Sequence, residues 1–223
     1  MSGWEAIVDP QSPAWMMYVN EINRQARSCM AACNRVLQLG DAYRHNRHSG
    51  PAELTELRDR VEQAISDAAS LRNLIYGGSL QRKKRYLEAF HDDRVQWLQG
   101  LLGDPDLPTI RNVDARDSMV HFDERMDEWA YAAAHRTDTE AGWMAAIDWI
   151  VKSRDIWGSA TPTEPVRCYI ADEMVFVIRD VEVHIPKLMA EANTVVQRVR
   201  RQAAPHTTVM KNGGMDPAIL MPL

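Results

Sequence analysis

Arg116, Asp117 and His121 are residues whose types and spacing could do chemistry without a metal. A guanidinium stays charged and can hold a phosphate through two parallel hydrogen bonds. An imidazole gives and takes protons near neutrality. A carboxylate four residues before a histidine on a helix comes close enough to orient it. The three together could form a small metal-free acid/base site. The Arg-x4-His spacing recurs at Arg179 to His184 and at Arg201 to His206, so context has to decide. Arg179 and His184 lie in a β-branched run with Pro186 close behind, and His206 follows Pro205 in a stretch without periodicity. Only Arg116 and His121 fall together in a helical pattern.

The elements that must position these residues are read from apolar spacing. Ser12-Pro13 starts a helix, because the hydroxyl can cap free amides and proline suits the first turn. Trp15, Val19, Ile22, Ala26, Cys29, Cys33 and Val36 then recur at alternating intervals of three and four, predicting a helix to about Arg44. A second stripe, Leu54, Leu57, Val61, Ala64, Ala68, Leu71 and Ile75, begins near Pro51 and stops at Gly77-Gly78. A third helix is expected from about Ser79 to Leu102, with Tyr86 counted in its apolar face, before the break Gly103-Asp104-Pro105. A fourth, from about Thr109 to His135, carries Ala115, Met119, Phe122, Met126, Trp129 and Ala133.

Beyond Thr137 the texture changes. Val166 to Ile178 is rich in β-branched and aromatic residues around Ala171-Asp172-Glu173, which predicts a β-hairpin. Ala145 to Val151 reads equally as strand or helix. A last helix is expected from about Ile185 to Arg201. The predicted fold is mainly α, in three parts: a helical bundle over 12–136, a hairpin plus C-terminal helix packed on it over 137–202, and a loose tail over 203–223.

Composition bounds the function. Hydrophobic residues at 45% and charged residues at 26% describe an ordinary globular chain, and a net charge of −5 argues against general coating of DNA. Cys29, Cys33 and Cys168 have neither disulfide nor metal spacing, which fits a reducing compartment. Neither a signal peptide nor a membrane span is visible. The expectation is a cytoplasmic protein that needs no cofactor and no metal. Asp41, His45 and His48 could meet near the end of the first helix, but a fourth ligand is missing. Arg82, Lys83, Lys84 and Arg85 form the dense basic run and are the candidate nucleic-acid contact.

A helical bundle with Arg116-Asp117 and His121 in a late helix resembles the HEPN superfamily, whose signature is Arg, a polar residue and a histidine after a short spacer. The continuation His121-Phe122-Asp123-Glu124-Arg125 also looks like an RN-x3-HFDER block of uncharacterised bacterial proteins. The resemblance covers about residues 12 to 136. It implies a four-helix HEPN-type bundle and a homodimer whose two motif helices line a shared cleft. It further implies a metal-independent endoribonuclease of toxin–antitoxin or defence type, with RNA as substrate and a regulatory protein partner. In that scheme Arg116 stabilises the phosphate, His121 is general acid or base, and Asp117 orients the pair. On one helix Arg116 and His121 would stand roughly 140° apart, so they converge only if Arg116 reaches across the polar face or a partner helix supplies the second group, as a symmetric dimer would. Asp123, Glu124, Asp127 and Glu128 make the same face acidic, which favours the rival reading of a non-catalytic dimerisation or interaction module. A nucleotide-binding regulatory domain is a third.

Overall fold

The structure, a computed structural model, describes residues 12–45, 47, 50–78, 82–112, 114–135, 144–155 and 163–212. It is mainly helical, with one four-stranded sheet and a long C-terminal helix. In chain order the elements are α1 (Pro13–Arg44), α2 (Pro51–Ile75), a 3₁₀ turn (Arg82–Leu87), α3 (Glu88–Leu102), α4 (Pro108–Arg111), α5 (Asp114–Val120) and α6 (Phe122–Ala134). Strands β1 (Met144–Val151), β2 (Thr163–Ile170), β3 (Val175–Ile178) and β4 (Val181–His184) follow, then α7 (Ile185–Asn212). No helix among the described residues is long and apolar enough to cross a membrane.

The chain divides into two compact units. The first takes Met1–Met30, Asp67–Arg111 and Ala190–Leu223; the second takes Ala31–Ser66 and Asn112–Met189. Helices α1, α2 and α7 each contribute one part to either unit. The apolar stripes expected of α1 and α2 are buried from Trp15 to Leu39 and from Leu57 to Ile75. Ser12 caps α1 as its spacing suggests, its hydroxyl accepting the Trp15 amide at 3.0 Å.

In the first unit, helix ends are closed by side chains. Both carboxylate oxygens of Glu191 on α7 accept the amides of Thr109 and Ile110, at 2.9 and 2.8 Å, at the start of α4. Two turns further along α7, Arg198 donates to the carbonyls of Leu102 and Gly103 at the end of α3. Gly103 there has φ +66°, the left-handed conformation that ends a helix most readily with glycine. Anion to helix start and cation to helix end is also the arrangement the helix dipole favours. Arg94, buried on α3, does the same for α2, donating to the Leu74 carbonyl at 2.6 Å, and burial lowers the affinity of its guanidinium for its proton.

In the second unit the sheet runs β1-β2-β3-β4, with β1 and β2 parallel and the other pairs antiparallel. The predicted hairpin is β2–β3, turning at Ala171 to Met174. Residues 144–151 are strand and not helix. Strand β4 was not anticipated, and neither was the length of α7, which continues to Asn212 where a loose tail was expected from 203. Residues 213–223 of that tail lie outside the described residues. Register explains one face of the core: Cys168 pairs with Val177, Ile170 with Val175, and Val151 with Ile170, and these five residues form one buried cluster. The other face carries Tyr169, which is 1% exposed and lies against Gly40 of α1. A Cβ at position 40 would sit 2.7 Å from the Tyr169 hydroxyl, so glycine near the C-terminal end of α1 is what admits the ring.

The Tyr169 hydroxyl has no hydrogen-bond partner among the described residues, and burial pushes the phenol up to about 12 from 10.0. Burial likewise raises the Cys168 thiol to about 12 from 9.0. Both groups therefore lose their protons first in the unfolded chain. Their contribution to stability is complete below about pH 9 and is lost as the pH climbs toward 12. Urea unfolding of Tyr169→Phe at pH 7 is expected within about 0.5 kcal/mol of wild type, since a buried hydroxyl without a partner gains nothing by staying. The alkaline fall in stability should be shallower in that variant. Gly40→Ala should cost about 1–3 kcal/mol, because the added methyl would force the buried Tyr169 ring to shift.

Candidate functional site

Arg116, Asp117 and His121 all lie in the second unit, on and just after α5. The Asn112 side chain accepts the Asp114 amide at 2.8 Å and so closes the start of α5. Ala115 and Ser118, three residues apart, are buried, and α5 packs on β3 and β4. Arg116 and Asp117 are exposed. The helix expected over 109–135 is not continuous. It is broken into α4, α5 and α6, and His121 is the turn between the last two, with φ −103° and ψ 36°. Its amide still reaches the Asp117 carbonyl at 3.0 Å. No glycine or proline causes this break. The break falls between two tertiary attachments: α5, with Ala115 and Ser118 buried, packs on β3 and β4, while the Arg167 guanidinium stacks 3.9 Å from the centroid of the Phe122 ring.

Arg116 pairs with its neighbour Asp117, Nη1 to Oδ1 at 3.0 Å, with the two side chains 50% and 53% exposed. His121 Nδ1 lies 3.5 Å from Glu124 Oε1, an ion pair only when the ring is protonated. No hydrogen bond or ion pair joins Arg116 to His121 among the described residues. The motif residues are thus brought to one exposed segment, each pairing with an acid close in sequence. Asp117 bonds Arg116 and not His121.

The stronger constellation stands beside them. Arg167 on β2 forms a two-pronged pair with Asp148, Nε to Oδ1 at 2.5 Å and Nη2 to Oδ2 at 2.8 Å. Asp148 is the extra residue of a bulge in β1, skipped between Ile147↔Arg167 and Trp149↔Cys168, with φ +58°. A left-handed conformation is tolerated by aspartate better than by most side chains, at a cost on the order of 1 kcal/mol. Arg58 of α2 approaches the same carboxylate at 3.8 Å. On α6, Glu128 forms an ion pair with Arg179 in the β3–β4 turn. The signals in the sequence were a lone arginine and a lone aspartate inside two apolar strands.

Arg82, Lys83, Lys84 and Arg85 belong to the first unit, in the 3₁₀ turn before α3, and all four are exposed. Tyr86, expected in the core, is 81% exposed. Asp41 is occupied by cations: Arg44 at 2.7 Å and Arg47 at 2.5 Å hold its carboxylate, and the Arg44 hydrogen bond holds it below the usual carboxylate range. His45 Nδ1 is 3.2 Å away, while His48 lies outside the described residues. No group of three side chains able to hold a metal occurs among the described residues.

Comparison with protein-family models, with curated proteins and with solved structures finds no match to this chain. Arg167→Ala should lower unfolding free energy by about 2 kcal/mol and Arg167→Lys by about 1, because lysine keeps the charge but neither the paired bonds nor the stacking. Hydrogen exchange over 122–134 should quicken in both. Arg116→Ala and His121→Ala should stay within about 0.5 kcal/mol of wild type, as expected for exposed pairs. A larger loss at either would mean a buried role that their exposure contradicts.

Proposed function

We propose that this chain is a non-catalytic interaction module whose α5–α6 segment docks a basic, amphipathic partner helix. The observation that carries this reading is the state of α6. Helix α6 has thirteen residues, and none of its described side chains is buried. Helices shorter than about 12–15 residues are marginal in water on their own, and most gain their stability by burying an apolar stripe. The stripe is present as Phe122, Met126, Trp129 and Ala133, yet Met126 remains 40% exposed, and Val120 just before it 56%. Around it, residues 114–134 carry six acids against two arginines, a net −4 out of the chain's −5. Two copies pairing through this face would set acid against acid, whereas a partner with lysines or arginines beside its apolar residues would complement it.

A titration tests this directly. The probe is a helical peptide of about twenty residues with leucines along one face and lysines flanking them, beside a twin with glutamates in place of the lysines. The lysine peptide should bind and the glutamate peptide should not. Charge reversal by Asp123→Lys with Asp127→Lys should weaken the lysine peptide at least about tenfold. Equal binding of both peptides, or indifference to the charge reversal, would refute the reading.

The second reading is the HEPN-like endoribonuclease, and the accessibility of Arg116 and His121 favours it. Both side chains are about half exposed and free to meet a phosphate or the motif of a second copy. In that scheme Arg116 stabilises charge on the phosphate, His121 moves the proton and Asp117 orients the arginine it bonds. Its test is cleavage of tRNA and of a structured RNA in EDTA by wild type, Arg116→Ala and His121→Ala. The expected result is activity abolished in both variants and 2′,3′-cyclic phosphate ends from wild type. Equal activity in all three would assign any cleavage to another site.

A further inference from the structure

We infer that the 3₁₀ turn Arg82–Leu87 is a binding site for single-stranded nucleic acid, with Tyr86 as a platform for one base and the four preceding cations as contacts to its phosphates. The inference concerns the first unit and rests on neither reading of the α5–α6 segment.

Three observations carry it. Arg82, Lys83, Lys84, Arg85 and Tyr86 are all exposed, and no residue of the turn is buried. None of the four cations forms an ion pair among the described residues, although exposed acids follow closely at Glu88, Asp92 and Asp93. Tyr86 is 81% exposed, a large aromatic ring left in water beside four unneutralised charges.

The backbone arranges these groups in a definite way. A 3₁₀ helix has three residues per turn and a rise of about 2.0 Å per residue, so side chains three apart eclipse one another. Arg82 and Arg85 therefore share one ridge, Lys83 and Tyr86 a second, and Lys84 and Leu87 the third. Leu87 is the half-buried one, so the third ridge turns inward at that end while Lys84 on it stays exposed, and the two other ridges face out. Tyr86 thus stands in line with Lys83 and next to the arginine ridge. The six residues span about 12 Å, a footprint of a few nucleotides.

That combination selects the ligand. Cations alone would attract any polyanion, including an anionic membrane or a duplex. An exposed aromatic adds something only where a π-face is free to stack, and bases in a duplex are stacked on each other. Unpaired bases offer that face whatever their sequence, and stacking on an aromatic side chain strengthens binding of single strands. A membrane surface would require more than one apolar group near the charges, and the turn presents one ring.

Fluorescence anisotropy with labelled twelve-nucleotide oligo-U and oligo-dT, at salt from 50 to 200 mM, tests the proposal. Both strands should bind the full chain, with affinity falling as salt rises. R82A/K83A/K84A/R85A should reduce the slope of log K against log salt by about 3, following from about 0.7 per phosphate contact. Tyr86→Ala should weaken binding about 5- to 150-fold with an unchanged slope, and Tyr86→Phe should retain it. Thermal unfolding followed by circular dichroism should not differ among these surface variants. Preference for oligo-U over oligo-dT would narrow the ligand to RNA. Equal affinity for a duplex, indifference to Tyr86→Ala, binding only to phosphatidylserine vesicles, or absence of binding would each overturn it. The lysine-peptide titration of the α5–α6 segment is unaffected by any of these results.

Discussion

The guanidinium of Arg167 meets several segments of the second unit at once, and their arrangement follows from it. Its two prongs hold the Asp148 carboxylate, which keeps the β1 bulge in place at a positive φ. Its flat face lies on Phe122, the first residue of α6. Its own strand, β2, pairs with β1 on one side and β3 on the other. Arginine suits this position because its charge, its paired donors and its planar surface can be used together, which a lysine cannot do. The stack on Phe122 falls one residue after His121, where α5 and α6 part.

The first unit uses the same residue type differently. Arg94 and Arg198 close the C-terminal ends of α2 and α3, while Glu191 closes the start of α4. Helix termini leave carbonyls and amides without partners inside the helix, and burying them unsatisfied is expensive. The break at Gly103-Asp104-Pro105 is thus an ordered connection, held by two charged residues of α7 spaced seven apart. Sign and position agree: the acid sits at the helix start and the base at the helix end.

Much of this was legible in the sequence, and the failures have physical causes. The stripes of α1 and α2, the stop near Gly77 and the β2–β3 turn were visible because periodicity and turn chemistry are local signals. Strand β4 was missed because four residues cannot establish an alternating pattern. The break at His121 left no local signal, because no glycine or proline stands there and Arg167, which meets Phe122 beside it, is distant in sequence. Tyr86 was misplaced because an α-helical period puts it in phase with Phe90, whereas a 3₁₀ turn advances each residue by more than an α-helix does and rotates it outward. At the candidate site the residues of the motif could be named in advance, but not their partners. The Arg167–Asp148 pair in particular depends on a parallel register and a bulge, which no local pattern encodes.

The fit of Tyr169 against Gly40 bears on how the chain is made. The two residues are more than half the chain apart, and parallel β1–β2 pairing has to place the tyrosine. During synthesis Gly40 emerges early, and the ring that lies against it is absent until β2 has been translated. At ordinary elongation rates that interval is on the order of ten seconds. For that time the notch at Gly40 lacks the ring that fills it in the folded chain. Non-local closure of this kind also slows folding relative to a purely helical protein of the same size.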